Sequence, residues 1–319
     1  MMPYPRVKPR ASTSTDNTGV YADLDDLIRL QYKATGFSFL PHQPIHSVLA
    51  GRHASRLRGH GLNFEELRRY LPGDDIRNMD WKVTARTQKP HVRVYTEERD
   101  RPVLLIVDQR LSMFFGSTRA MKSVAAAEAT ALAAWRVFHA GDRVGAIVFD
   151  DHDIVEIAPH RSRDRVMQIL QAVVEKNHAL RANADLTPNA TILNHALERA
   201  LRVAKHDHLV TLITDAFGAD QASERLVTLL SAHNDVLSVF IFDPLETQLP
   251  DSGRLVMAEG AVQLDVDTSD SDLRRRFHNT FEQRLTRIQT LSRQRSIPVL
   301  PIQTGAGVAE QVRTLLGHA

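Results

Sequence analysis

The sequence predicts an α/β fold: a doubly wound, mostly parallel sheet with an N-terminal extension of short helices and strands. Three observations predict it. From about residue 101 five short apolar runs recur: "VLLIV" (103–107), "VGAIVF" (144–149), "LVTLIT" (209–214), "VLSVFIF" (236–242) and "IPVLPI" (297–302). Strands apolar on both faces need cover on both sides, which right-handed helical crossovers supply. Helical patterns fill the gaps near 119–139, 162–176, 190–204, 220–232 and 271–295, the alternation of a doubly wound sheet. Two of the strands end in an aspartate, Asp108 and Asp215, at the edge where such sheets place ligands.

Composition narrows the function classes. The chain has 319 residues, 43% hydrophobic and 24% charged, enough for one large domain with a substantial extension and ordinary for a soluble protein. A formal net charge of +2 is too small to argue for nucleic acid, although 15 histidines help lift the pI to about 9.0. The absence of cysteine removes disulfides, thiolate catalysis and Cys-based zinc sites, and fits a cytoplasmic protein. No apolar run approaches the roughly 18 residues of a membrane-spanning helix, so no membrane insertion is expected.

Three regions follow from the composition along the chain. "MMPYPRVKPRASTSTDNTG" (1–19) has prolines and basic residues but no apolar core, and reads as a disordered leader instead of a signal peptide. Residues 20–100 form the extension and residues 101–319 the α/β domain. In the extension, "DLDDLIRLQY" is a helix with acidic residues in its first turn, where they suit the helix dipole. "NFEELRRYL" reads as a short helix stopped by Pro72-Gly73, and "KPHVRVYTEER" as a strand.

Within the α/β domain, "DIVEIA" (153–158) follows its predecessor too closely for a crossover and reads as an antiparallel edge strand. The helix around "AMKSVAAAEATALAAWRVFHAGD" places Met121, Val124, Leu132, Trp135 and Phe138 on one stripe. Glu128 falls on that stripe, where snorkelling or an ion pair must accommodate the carboxylate. The 271–295 helix carries Leu273, Phe277, Phe281, Leu285 and Ile288 on one face, with arginines crowding the remainder as a solvated face. His206 and His208, like His42 and His46, lack helical metal-binding spacing, and no phosphate-cradling glycine loop follows a strand.

Chemistry is expected at the strand ends. Asp108 and Asp215, with Ser112 and the hydroxyls of Thr187 and Thr191, converge on one edge as an all-oxygen cluster of the kind that suits Mg²⁺ or Mn²⁺. The plain alternative is that strand-end aspartates cap turns.

The order strand-Asp-x-x-x-Ser-Met, helix, "GDRVGAIVF", Thr-bearing loop and "LITDAFG" resembles a von Willebrand factor A-type domain. That resemblance implies a metal-ion-dependent adhesion site: Asp108, Ser112 and Asp215 match, with Thr191 preferred over Thr187 as the loop threonine. Arg110 stands where the family places its first serine, which implies a degenerate site of low metal occupancy. The guanidinium beside Asp108 can supply the positive charge a metal would bring.

The upstream stretch "RGHGLNFEELRRYLPGDDIRNMDWKVTARTQKPHVRVYTEE" closely resembles the signature of the "domain of unknown function 58" family. Arg69, Tyr70, Gly73, Asp74, Arg77, Asp80, Trp81, Ala85 and Arg86 carry that likeness. Read physically, Pro72 to Asp75 is a turn, Asp74, Asp80, Arg77 and Arg86 are close enough to pair, and Trp81 is the aromatic anchor of a structural knot, with a partner-facing surface as the alternative. The family resemblance implies a MoxR-type AAA+ ATPase as partner. The expectation is a non-enzymatic interaction module, an adaptor or co-chaperone meeting its partner through Asp108, Arg110 and Ser112. The alternative is a Mg-dependent phosphoryl-transfer enzyme with Asp108 as nucleophile.

Overall fold

The structure, a computed structural model, describes residues 19–35, 62–97, 102–180, 189–259 and 262–316. The expected leader, apart from Gly19, and Thr187 lie outside the described residues. The chain divides into two compact units, residues 42–100 and the remainder.

In chain order the elements are α1 (Leu24–Arg29), β1 (Leu62–Arg69), α2 (Trp81–Thr87), β2 (His91–Glu97), β3 (Val103–Asp108), α3 (Lys122–His139), β4 (Val144–Phe149) and β5 (Ile154–His160). They continue with α4 (Arg163–Ala179), α5 (Ile192–Val203), β6 (Leu209–Thr214), α6 (Gln221–His233), β7 (Asp235–Phe242) and α7 (Pro244–Thr247). The chain closes with β8 (Arg254–Glu259), β9 (Val262–Asp267), α8 (Ser271–Arg295), β10 (Val299–Gln303) and α9 (Val308–Leu316).

The larger unit is a mixed α/β body around a six-stranded sheet of order β10-β7-β6-β3-β4-β5. All neighbours are parallel except β4 and β5, which makes "DIVEIA" the antiparallel edge that the short connection requires. Successive residues of β3 face opposite sides. Val103, Leu105 and Val107 pack with α3, α4, α9 and the α1 segment, while Leu104 and Ile106 pack with α5 and α6. From β3 the chain moves outward to β4 on one side and later to β6 on the other. The ends of β3 and β6 therefore flank the switch point where open sheets leave a crevice.

The α1 segment corrects the expected start of the extension at residue 20, while its expected end at residue 100 agrees with the division of the chain. Ala22, Leu27 and Ala34 belong to the core of the α/β body. The indole N–H of Trp135 donates to the Leu27 carbonyl at 3.1 Å, and the Ala22 N–H donates to Asn177 Oδ1 at 2.7 Å. The extension proper is thus the 42–100 unit alone.

In that smaller unit β1 and β2 pair antiparallel, and α2 starts at Asp80, whose carboxylate accepts from the Lys82 and Val83 N–H groups. "NFEELRR" is a strand, not the expected helix. A register shift between Phe64 and Glu66 interrupts the pairing, and such a bulge breaks the two-residue alternation by which a strand is recognised. Trp81 is 66% exposed and is no buried anchor. Asp74 pairs with Arg68 and Asp80 with Arg93, both at 2.8 Å, so the expected partners Arg77 and Arg86 are replaced by residues of the two strands.

Candidate functional site

Three neighbouring parallel strands deliver a fully buried aspartate to the same edge: Asp108 after β3, Asp215 after β6 and Asp243 after β7. Each is consumed by local bonds. Asp108 Oδ1 accepts from the Arg110 backbone N–H and Nε, both at 3.0 Å. Its Oδ2 accepts from Arg110 Nη2 at 2.7 Å and Thr214 Oγ1 at 2.6 Å. Asp215 Oδ1 takes the Phe217 N–H at 2.9 Å, and Oδ2 takes Lys122 Nζ at 2.8 Å. Asp243 accepts from Ser117 N–H and Oγ, the Leu245 N–H and Thr304 Oγ1. It thereby anchors the loop that follows β3.

The charges form a continuous alternating chain. Arg110 lies 2.7 Å from Asp108 and 4.0 Å from Asp215. Lys122 joins Asp215 to Glu246 at 2.9 Å, and Glu246 meets Arg284 of α8 at 3.2 Å. Arg110 also lies over Phe149, and Arg284 over Phe240 and Phe281, so rings cover the guanidinium faces. Burial works against the charges on Arg110 and Lys122, but the neighbouring carboxylates outweigh it and hold both pKa values above their ordinary range. Burial likewise opposes the Asp215 carboxylate, yet Lys122 and Arg110 draw its pKa down to about 2.

The residues expected to hold a metal are only partly brought together. Asp108 and Asp215 share Arg110. Ser112 Oγ is buried without a hydrogen-bond partner among the described residues. Thr191 is exposed and bonds Asn189 Oδ1 at 2.8 Å. It reaches the loop only through Asp151, which takes the N–H groups of Asn189 and Leu111. Among the described residues no group of three or more His, Asp or Glu side chains is placed to hold a metal ion.

The donor set does not fit a divalent cation. Every oxygen of Asp108 and Asp215 already accepts from a cation or a backbone or hydroxyl donor. The ion-pair chain sets three carboxylates against three cations. A metal would have to displace Arg110 and Lys122 from the aspartates that pair with them, and leaving buried charge without its partner is costly.

Nor are the expected partner-binding residues open to a partner. Arg110 is 2% exposed and Asp108 fully buried. Phe217, 49% accessible, is an exposed large apolar residue at this edge, and its carbonyl accepts from Arg110 Nη2 at 3.1 Å. Preceding it, Ala216 adopts φ +54°, a left-handed conformation strained for a residue with a Cβ. Arg110 and Asp215 hold this bend by gripping the O and N–H of Phe217.

Sequence reasoning missed Lys122, Asp151, Asp243 and Glu246. A signal existed for Asp243 and Glu246, since "DPLE" has capping-box spacing and both halves of the box form. None existed for Lys122, whose partner lies 93 residues away. Glu128 meets Arg119 in a two-pronged pair at 3.0 and 2.7 Å, resolving its place on the apolar stripe. On α8, Arg284 turns inward against the expectation of a solvated arginine face, because its guanidinium fits between two phenylalanines and Glu246.

These features define an α/β protein with a buried ion cluster at the switch point of its sheet. The family described as "Protein of unknown function DUF58" matches residues 66–287, and the chain belongs to that family. An uncharacterized protein of Mycobacterium tuberculosis (strain ATCC 25618 / H37Rv) is 30% identical over 217 residues, 68% of this chain. An uncharacterized protein of Mycobacterium bovis matches to the same extent. The match spans 66% of the relatives' own length. Among solved structures, the conserved hypothetical protein BatB from Bacteroides thetaiotaomicron is 12% identical at a TM-score of 0.42, covering 67% of this chain and 98% of that one. An uncharacterized membrane spanning protein from Vibrio fischeri is 15% identical at a TM-score of 0.21, covering 67% and 97%. Neither likeness carries an argument about fold or function. Among the described residues no helix is long and apolar enough to cross a membrane.

Proposed function

We propose that the chain is a non-enzymatic protein-interaction module on a von Willebrand factor A-like fold, an adaptor or co-chaperone of a MoxR-type AAA+ ATPase. The observation that carries this reading is the Arg110 fork closed on Asp108 at the switch point. In this reading the adhesion site is degenerate: Arg110 and Lys122 organise the loops that a metal would otherwise organise. The partner meets the outer face of those loops, with Phe217 as its exposed contact. Because the guanidinium is buried, it orders the docking face instead of receiving the partner's carboxylate directly.

The enzymatic alternative is less well supported. A nucleophilic carboxylate needs a free oxygen, and both oxygens of Asp108 accept two hydrogen bonds each. A phosphatase screen with Asp108→Asn as control separates the two classes.

Co-purification with the cognate ATPase, in ATP-bound, ADP-bound and nucleotide-free forms, tests the proposal. Association in at least one form, weakened about tenfold by Phe217→Ala, is the expected result. Absence of association under every nucleotide state would overturn it. Calorimetry with Mg²⁺ and Mn²⁺ tests the degenerate site: the wild type should give no binding heat. Tight wild-type binding that depends on Ser112 and Asp215 would sink the cation-substitution reading.

A further inference from the structure

The 42–100 unit carries a second, separate surface. Among its described side chains, residues 67–93, Val92 is the one buried apolar group. Leu71, Ile76 and Trp81 are 60%, 60% and 66% exposed. A two-stranded hairpin with a seven-residue helix is marginal without an apolar face to bury. Among the described side chains Leu71, Ile76 and Trp81 are instead exposed, which leaves apolar surface open to a partner.

The charges around this patch say what kind of surface it fits. Residues 67–93 hold seven arginines and lysines against three carboxylates, and the carboxylates are already used. Asp74 is held by Arg68, Asp80 caps α2 and pairs with Arg93, and Asp75 takes the Arg77 N–H. Arg69, Arg77, Lys82, Arg86 and Lys89 are exposed, and none of these side chains makes an ion pair or hydrogen bond among the described residues. An exposed tryptophan and two exposed aliphatic side chains, interspersed along the chain with unpaired cations, have the composition of a protein hot spot.

We infer that the exposed 69–89 segment, with Leu71, Ile76 and Trp81 as its apolar contacts and Arg69, Arg77, Lys82, Arg86 and Lys89 interspersed along it, docks an acidic protein surface with an apolar strip at its centre. A membrane is the less suitable occupant. Interfacial lipid binding uses a sustained amphipathic helix, whereas these residues sit on a turn, a loop and the first turn of a short helix. Nucleic acid suits it less as well, because single-strand binding stacks bases on several aromatics interleaved with cations, and Trp81 is the one exposed aromatic ring in the patch. This surface shares no residue with the Phe217 face, so the two assignments stand or fall separately.

The chain's two tryptophans make the test direct, because Trp135 is fully buried and Trp81 is exposed. Acrylamide quenching of the full chain should find one accessible and one protected tryptophan. If both are protected, the chain covers the face itself and the inference falls. The probe is a short synthetic helix-forming peptide of glutamate and leucine at amphipathic spacing, compared with its lysine-for-glutamate counterpart. The acidic peptide alone should shield Trp81, blue-shift its emission and weaken with added salt. Lys82→Glu with Arg86→Glu should reduce binding about tenfold or more, whereas Phe217→Ala should leave it unchanged. Loss of binding in Phe217→Ala would move the contact to the other face and overturn the assignment. So would shielding of Trp81 by anionic phosphatidylglycerol vesicles or by single-stranded RNA when the acidic peptide has no effect.

Discussion

In the α/β body the ion pair of Asp108 and Arg110 is 0% and 2% exposed and lies among strands with no access to water. In the 42–100 unit the pair of Asp80 and Arg93 leaves the arginine 46% exposed, and among the described side chains of that unit Val92 is the one buried apolar group. The same residue types therefore have different consequences in the two places. Where both members are buried, each is needed because the other would be stranded as an unpaired charge. Where one member is wet, the pair contributes little, and the aspartate matters more as a helix cap. One unit keeps this ion cluster internal, whereas in the other Arg69, Arg77, Lys82, Arg86 and Lys89 stand exposed without an ion pair among the described residues.

The largest break in that contrast should come from Asp215→Ala. It strands Lys122 and Arg110 in the core and should cost about 3–5 kcal/mol, read by urea unfolding of the α/β body. A cost below about 1 kcal/mol, the range of exposed pairs, would mean that the cluster is hydrated and the contrast false. Acid should produce the next largest effect. A carboxylate whose pKa is depressed on folding stabilises the fold above its unfolded pKa, and that contribution fades as pH falls through the folded value. With the Asp215 pKa near 2, the body should lose about 2 kcal/mol between about pH 4 and about pH 2. Asp215→Asn should remove that part of the acid transition, and an unchanged profile in Asp215→Asn would show that another group governs it. The smallest effect tests the other side of the comparison. Val92→Ala should cost about 1–2 kcal/mol, seen by hydrogen exchange in the β1–β2 hairpin while the amides of β3, β4 and β6 stay protected. Loss of protection in those central strands would show that the two units unfold together.

Much of the α/β body was legible because its physics is local. Runs such as "VLLIV" and "VGAIVF" are apolar at every position, and only a strand covered on both faces accommodates that. "DIVEIA" was readable as antiparallel from the length of its connection alone. The errors lie where a local pattern was broken by a specific event. "NFEELRR" spaces Phe64, Leu67 and Tyr70 like a helix because a bulge shifts the strand's alternation. Leu27 was assigned to the extension because nothing near it in sequence announces Trp135 as its neighbour.

The candidate site divides in the same way. That Asp108 and Asp215 close apolar strands, and that Arg110 interrupts the hydroxyl pattern between Asp108 and Ser112, was written in the order of residues, because strand ends and two-residue spacings are local. That the guanidinium folds back onto Asp108, that Lys122 of α3 crosses to Asp215, and that Glu246 and Arg284 extend the chain of charges was decided by the tertiary structure. A cation finds its carboxylate by which strands lie side by side, and the order β6-β3-β4 brings together residues about a hundred positions apart. Trp81 shows the converse: an aromatic residue in a charged stretch reads as an anchor, and its 66% exposure is a property of the folded surface that no local pattern contains.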